Sequence, residues 1–129
     1  MRSHFLIAAA MTVILGAATA CAQDMKTPAM TADSGLGKIM IDSKKMTLYT
    51  FDKDTPGKSV CNGQCAVNWP PLMASADAKT MGDWSIVTRD DGMKQWAYKG
   101  KPLYAWIKDT KPGDTTGDGF NKVWHVAHP

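Results

Sequence analysis

The sequence predicts a small all-β domain built from two related units, and three observations carry that prediction. Short apolar runs alternate with turn signals, of which Asp91-Gly92 is the clearest. All 12 acidic residues are Asp and none is Glu, which disfavours long helices because Asp prefers turns and caps whereas Glu is a good helix former. Finally, the phrase LYTFDKDT at 48–55 returns as LYAWIKDT at 103–110.

The two copies of this phrase share a Tyr, an aromatic residue two positions later and an Asp five positions after the Tyr. The six motif residues are Tyr49, Phe51, Asp54, Tyr104, Trp106 and Asp109. A Pro-Gly turn follows each copy, and the extra residue Lys111 displaces the second one. An echo at a fixed offset indicates one structural unit built twice. We therefore predict one domain with two pseudo-symmetric repeats, at about 37–72 and 92–127, in a hairpin-rich sheet or sandwich.

Alternation and turns place the elements in order along the chain. Two hairpins are predicted, each across a four-residue polar turn, and two further strands follow. These elements are Lys38–Ile41 with Met46–Phe51, Trp84–Thr88 with Lys94–Tyr98, then Pro102–Ile107 and Lys122–Val126. The exception is 61–72, which is predicted to be irregular or to hold one short helical turn, because Trp69-Pro70-Pro71 stops a helix.

The motif residues admit two interpretations. On a strand, Tyr49 and Phe51 share one face and Leu48 the other, and Asp54 and Asp109 come where each strand ends. The structural interpretation is a buried aromatic pair with an Asp that accepts backbone N–H groups of the following turn. The functional interpretation is an aromatic-lined cleft whose two carboxylates bind a small or cationic ligand.

Residues 1–20 have the pattern of a secretory signal peptide. Arg2 precedes an apolar run over 5–18, and small residues at 18–20 form a cleavage site. The run is too short for a good membrane span, which needs ~20 residues. We expect an exported chain without a transmembrane segment.

Cys21 stands directly after this cleavage site, where the acylated Cys of a bacterial lipoprotein stands. Residues 18–21 resemble a lipobox, with Ala18 in place of the usual Leu, and plain secretion is the alternative. Ala22 rather than Asp follows, which by resemblance to Gram-negative lipoproteins favours the outer membrane, facing the periplasm. We predict a lipidated flexible tether over 21–36, anchored to the membrane through its acyl chains, and a β domain over 37–129.

Cys61 and Cys65 are close enough in sequence to form a disulfide in an oxidising compartment. The alternative is a copper or redox site, because a CxxxC pair and a distant His also suit copper; His125 or His128 would complete it. The strand-rich pattern lacks the βαβ units of copper-handling thioredoxin folds, which favours the disulfide. No other metal or cofactor is indicated.

The charge of the exported chain is nearly balanced. Of 15 basic residues, removal of Arg2 leaves 14 against 12 acids, without a basic stripe. Nucleic acid is therefore not an indicated partner. An envelope protein or a small ligand is the expected partner, besides the membrane.

Several motifs in the same order resemble a known bacterial family. They are the doubled Tyr-x-aromatic-x-x-Asp phrase, the segment CNGQCAVNWPPL at 61–72 and the ending GFNKVWHV at 119–126. Together they resemble the predicted lipoproteins with a Yx(FWY)xxD motif, also described as secreted repeats, over about 36–129. The resemblance implies an envelope location, a repeat architecture and the motif positions; the function of the family is unknown.

The leading functional hypothesis is a non-enzymatic, lipid-anchored envelope protein that serves as a binding or interaction module. We expect the five tryptophans to dominate its core or one exposed patch; they are Trp69, Trp84, Trp96, Trp106 and Trp124. The second hypothesis is a periplasmic copper-binding or electron-transfer accessory protein using Cys61, Cys65 and His125. A third is a hydrolase with Asp54 and Asp109 as paired carboxylates. No nucleophile, phosphate-binding or metalloprotease motif is present to support catalysis.

Overall fold

Eight short strands and one short α-helix form the regular structure of residues 27–129, the part of the chain that the computed structural model describes. The strands are β1 (Met30–Ser34), β2 (Gly37–Ile41), β3 (Tyr49–Phe51), β4 (Met73–Ala74), β5 (Trp84–Thr88), β6 (Lys94–Tyr98), β7 (Lys101–Pro102) and β8 (Trp124–Val126). The helix α1 (Gln64–Asn68) and a 3₁₀ segment, Phe120–Lys122, complete the set. The predicted all-β class with one small helical segment is confirmed.

The predicted signal peptide and Cys21 lie outside the described residues, as does the tether up to residue 26. Part of the predicted flexible tether is a regular strand, because β1 pairs antiparallel with β2 from Met30↔Ile41 to Ser34↔Gly37. The domain therefore extends further toward the N-terminus than the predicted boundary at residue 37. The small, polar residues of β1 are half-buried or exposed, so the strand lacks the alternation that identifies strands from sequence.

The second predicted hairpin is confirmed: β5 and β6 pair in register from Trp84↔Tyr98 to Thr88↔Lys94. Along the other edge of β6 lie β4 and β7. The first predicted hairpin is only partly present. Its turn forms, with Ile41 bridging Thr47, but β3 then leaves β2 and pairs with β8. This strand exchange depends on a partner some 75 residues away, which local turn signals cannot specify.

Two closed rings of backbone hydrogen bonds explain the exchange. In the first ring, Met40 N–H donates to Ala127 O (2.9 Å), Ala127 N–H to Leu48 O (2.8 Å) and Leu48 N–H to Met40 O (3.0 Å). The second ring joins the equivalent residues of the other repeat in the same sense. Its bonds run from Trp96 to Leu72 (2.8 Å), from Leu72 to Leu103 (2.9 Å) and from Leu103 to Trp96 (3.1 Å). Each ring takes two members from one repeat and the last member from the other, so the two repeats are interlocked.

The two motif segments meet at the centre. Tyr49 N–H donates to Tyr104 O (2.8 Å) and Tyr104 N–H to Tyr49 O (3.0 Å), which places the pseudo-twofold axis at this pair. The predicted strand over Pro102–Ile107 is central, as expected, but only Lys101–Pro102 is regular strand. Its neighbour on the other side carries Pro70 and Pro71, which have no N–H to donate, so a complete ladder cannot form there.

The remaining predicted elements differ only at their ends. The helical turn within 61–72 is α1, and it stops at Trp69 before the two prolines, as predicted. The last strand, predicted from Lys122, begins at Trp124, because Asn121 and Lys122 both adopt positive φ. Such a backbone is incompatible with an extended strand.

A column of four stacked aromatic rings fills the main core. Trp69 and Trp124, which are equivalent in the two repeats, stack with centroids 3.8 Å apart and planes 3° apart. Trp106 stacks on the outer face of Trp69 (3.9 Å) and Phe51 on that of Trp124 (4.1 Å). Each motif aromatic thus stacks on the Trp of the other repeat. The rings of the two motif tyrosines meet this column edge-on.

A second core lies on the opposite face of the motif strands. It contains Leu48, Leu103 and Trp84, with Trp96 half-buried against it. The predicted alternation of Tyr49 and Leu48 between two faces is therefore confirmed. All five tryptophans belong to these cores rather than to an exposed patch.

Gly117 is where the backbone touches the aromatic column. A Cβ at this position would lie 2.7 Å from Trp69 Cη2 and 3.1 Å from Trp106 Cδ1. We predict that Gly117→Ala lowers the free energy of unfolding by about 1–3 kcal/mol, because the stacked rings must shift. Gly35→Ala is the matched control, since a Cβ there meets nothing within 4 Å. Urea unfolding of both variants tests this, and equal stabilities would contradict the close contact.

Candidate functional site

The motif tyrosines and aspartates are bonded across the two repeats. Tyr49 of the first repeat donates its hydroxyl hydrogen to Asp109 Oδ2 of the second (2.7 Å). Tyr104 of the second donates to Asp54 Oδ2 of the first (2.6 Å). Both tyrosines are fully buried. The two bonds are equivalent under the pseudo-twofold axis, so the doubled motif is one reciprocal interaction rather than two separate ones.

The second oxygen of each aspartate holds the loop that follows it. Asp54 Oδ1 accepts the Val60 N–H (2.8 Å), six residues on. Asp109 Oδ1 accepts the Thr116 N–H (3.0 Å) and hydroxyl (2.7 Å), seven residues on. The single extra residue in the second loop, Lys111, accounts for that difference. The predicted role of the aspartates as acceptors for backbone N–H groups is therefore correct, although the donors lie beyond the Pro-Gly turns.

Burial governs the proton affinities in this cluster. Desolvation raises the pKa of Tyr49 and of Tyr104 above its ordinary value, and the bonded carboxylates add to the shift. Desolvation likewise raises the pKa of Asp54, although the bonds from Tyr104 and Val60 and the charge of Arg89 oppose it. Both tyrosines therefore stay protonated at neutral pH and act as hydrogen-bond donors.

These contacts favour the structural interpretation of the motif. The carboxylates of Asp54 and Asp109 are held on different tyrosines, so they are not joined in a cleft or as a hydrolytic pair. The Asp109 side chain is buried, and each carboxylate is already occupied by donors of the fold. Neither the predicted aromatic cleft nor the paired carboxylates of the third hypothesis is formed by the described residues.

Arg89 is a buried cation that the sequence did not single out. Its guanidinium donates to Ser59 Oγ (2.8 Å), Gln95 Oε1 (2.7 Å) and the Cys61 carbonyl (2.6 Å). Ser59 in turn bonds the Tyr104 hydroxyl (2.6 Å), so the guanidinium is connected to one motif tyrosine. In the sequence Arg89 opens a polar turn, where a solvated side chain is the usual expectation, and no local signal indicates burial.

Cys61 and Cys65 form the predicted disulfide. Cys61 is buried in the main core and Cys65 is half-buried against it. His125 is exposed and bonds Asp52 through Nε2 (2.7 Å), whereas His128 Nδ1 contacts the Lys38 carbonyl (2.7 Å). Within residues 27–129, no group of three or more His, Cys, Asp or Glu side chains is arranged to hold a metal ion.

A groove with accessible polar side chains lies over the outer face of β3 and β8. Two neighbouring hollows form it, of about 200 and about 290 Å³. They share four lining residues, which are Thr50, Asp52, Lys99 and Lys101. Asp54 lines the smaller hollow, and His125, His128 and Tyr98 line the larger. We call these eight residues the β3–β8 groove.

The charged groups of this groove that have no hydrogen-bonding partner among the described residues are its two lysines. Asp52 is paired with His125, and Asp54 accepts hydrogen bonds from Tyr104 and Val60. Among the described residues, neither Lys99 nor Lys101 has an acidic side chain within salt-bridge distance. Lys99 lies over the Tyr98 ring, with Nζ 5.3 Å from its centroid. The groove thus offers two ammonium groups beside hydroxyl and imidazole groups.

Comparison with known proteins also finds two repeats in this chain. A family model described as a secreted repeat of unknown function matches residues 30–73 and again residues 85–128. The chain belongs to this secreted-repeat family. No curated protein and no solved structure matches the chain.

The family matches also define the repeat unit. Each begins before its predicted start, at 30 rather than 37 and at 85 rather than 92. The earlier starts include β1 and nearly all of β5, the first strand of each hairpin. In this chain each repeat is thus a hairpin, a motif strand, a loop held by Asp and a last segment that crosses to the other repeat. Across the described residues, no helix is long and apolar enough to cross a membrane.

The crossed bond between Tyr49 and Asp109 can be measured by a double-mutant cycle. We predict that Tyr49→Phe and Asp109→Asn each lower the free energy of unfolding by about 1–3 kcal/mol, because a buried polar partner is lost. The double variant should be more stable than the sum of the two losses implies. Tyr98→Phe is the control, since the Tyr98 hydroxyl makes no hydrogen bond within the described residues. Strictly additive losses in urea unfolding would contradict a direct bond.

Proposed function

We propose that this secreted-repeat protein is a non-enzymatic, lipid-anchored module of the cell envelope, and that it binds its partner in the β3–β8 groove. One observation carries the proposal. The Tyr and Asp of the motif that identifies the family stabilise the fold, because each Tyr is hydrogen-bonded to the Asp of the other repeat. The groove, by contrast, carries polar groups that the motif bonds leave open to a ligand, among them the Thr50 hydroxyl and the Lys99 and Lys101 ammonium groups.

The location of the groove supports a binding role. Thr50 and His125 are register partners on β3 and β8, and their neighbours in sequence point into the core. A groove built on paired strands is held rigidly, as binding requires. Its contents of lysine, imidazole and hydroxyl groups suit recognition, and no activated nucleophile is present among them.

The anchor is proposed on the position of Cys21 after the small residues 18–20. A lipid at Cys21 would hold the domain at a membrane surface through the short segment that precedes β1. An outer-membrane location facing the periplasm is part of the same proposal, on the basis of Ala22.

Lipidation can be tested directly in a Gram-negative host. We expect metabolic labelling with palmitate to tag the exported protein, and Cys21→Ser to abolish the label, because the thiol is the site of acylation. Cys61→Ser is the matched control and should retain the label. A wild-type protein that is soluble and unlabelled would overturn the proposal of a lipid anchor, without bearing on the groove.

The copper-binding alternative requires the disulfide to be reduced and His125 to leave Asp52. Because His125 is bonded to Asp52 and no third ligand is arranged with Cys61 and Cys65 among the described residues, we expect the reduced protein to show no tight uptake in a Cu(I) titration. Competition against a chromogenic Cu(I) chelator measures this. Tight uptake that is lost in both Cys61→Ser and His125→Ala would instead establish the copper site.

A further inference from the structure

We infer that the β3–β8 groove binds an acidic sugar unit, with the sugar carboxylate on Lys99 and Lys101 and the sugar hydroxyls on Thr50 and His125. This inference rests on the proposed function and names the ligand class of the same site. Charge, size and the unused polar groups of the groove carry it.

The two lysines without partners favour a ligand that carries a negative group. The two carboxylates that line the groove are engaged within the protein, Asp52 by His125 and Asp54 by Tyr104 and Val60. Lys99 and Lys101 line both hollows and have no acidic partner among the described residues. A charge-assisted hydrogen bond from an ammonium group to a carboxylate is about twice as strong as a neutral one. A ligand carboxylate therefore supplies what these two lysines lack.

The backbone fixes the two lysines in place. Lys99 and Gly100 both have positive φ, 51° and 84°, as in the tight two-residue turns that join antiparallel strands. Tyr98 and Lys101 pair directly across this turn between β6 and β7. The two lysines thus project from a closed hairpin, and the Tyr98 ring holds the Lys99 ammonium from below. The backbone that carries the two lysines is therefore already ordered before an anion binds.

Size excludes a large ligand. The hollows, of about 200 and about 290 Å³, lie below the range of ~300–1,000 Å³ that is usual for pockets binding drug-sized molecules. Because they share a wall, they suit two small linked units better than one bulky group. A one- or two-residue segment of a glycan matches this form.

The neutral groups of the groove distinguish a sugar from a bare oxyanion. The Thr50 hydroxyl makes no hydrogen bond within the described residues, although it lines both hollows. His125 is exposed at the edge of the larger one. A sugar acid has hydroxyls that can donate to the groove's acceptors besides a carboxylate for the lysines, whereas inorganic phosphate carries mainly acceptor oxygens, which the Asp52 and Asp54 carboxylates in the lining repel.

The test uses the mature, ¹⁵N-labelled protein extracted from membranes in detergent, titrated with four probes. These are digalacturonate, neutral lactose, cationic glucosamine and inorganic phosphate. We expect digalacturonate to shift the amide signals of the groove and to bind more tightly than the other three. Binding should weaken as NaCl rises from about 50 to 500 mM, because salt screens exposed charges.

Matched variants connect the binding to the two lysines. Lys99→Met with Lys101→Met should raise the Kd for digalacturonate at least tenfold, whereas Lys99→Arg with Lys101→Arg should retain binding. Lys53→Met with Lys108→Met is the control, because those exposed lysines lie outside the groove. An unchanged amide spectrum for each variant, outside the substituted positions, verifies the fold.

Each other outcome overturns a defined part. If phosphate binds as tightly as digalacturonate, or if the control pair weakens binding equally, the inference of a sugar acid fails. If lactose or glucosamine shifts the groove signals and digalacturonate does not, the groove is a binding site but the ligand class is wrong. If no probe shifts them, the inference of a sugar ligand fails, whereas the proposed groove is then tested by partners of another class.

Discussion

The reciprocal bonding of Tyr49 to Asp109 and of Tyr104 to Asp54 is the constraint on which the rest of this fold depends. A single repeat contains a tyrosine and an aspartate but not the pair, so half of the domain would leave both groups unsatisfied in an apolar core, at a cost of about 1–3 kcal/mol for each group. The same dependence recurs in the backbone rings, each of which needs one member from the other repeat, and in the aromatic column, where each stacked pair joins the two repeats. The two repeats must therefore fold together as one cooperative unit, and the motif residues supply the bonds that require it.

The proposed binding groove lies where the repeats differ. Under the offset of 55 that relates the motifs, Thr50 and Asp52 correspond to Ala105 and Ile107, and His125 corresponds to Pro70. The groove thus occupies one side of the pseudo-twofold axis, and these three equivalent positions on the other side are apolar. A duplicated scaffold with shared interior residues can change its outer positions without loss of stability, because exposed positions contribute little to it. Conserving the crossed pairs while varying the surface is consistent with a binding module.

Much of this arrangement is contained in local sequence. The β5–β6 hairpin follows from its alternation and Asp-Gly turn, α1 from its prolines, and the division into two cores from the alternation of Leu48 with Tyr49. Local sequence cannot predict which strands pair with each other. β3 and β8 pair across some 75 residues, and no residue in either segment identifies the other as its partner. The Tyr–Asp bonds escaped prediction for the same reason, since each motif looks complete within its own repeat. The roles of Arg89 and Lys99 could not be predicted either, because the local sequence around a polar turn residue does not indicate whether its side chain will be buried or will face a groove.

The loops after the two aspartates show how far the symmetry extends. Val60 and Thr116 are equivalent as the residues held by Asp54 and Asp109, so Cys61 and Gly117 occupy equivalent positions, and both are buried. The second loop is closed by the contact of Gly117 with the Trp69 ring and by its N–H bond to the Tyr49 hydroxyl (3.2 Å). The first loop is closed differently, by the disulfide to Cys65 and by the bonds of Arg89 to Ser59 and the Cys61 carbonyl. Both closures give a buried tyrosine hydroxyl a second polar partner. For Tyr49 this partner is the Gly117 N–H, and for Tyr104 it is Ser59 Oγ. The disulfide is therefore best understood as the first repeat's means of holding its loop on the crossed motif.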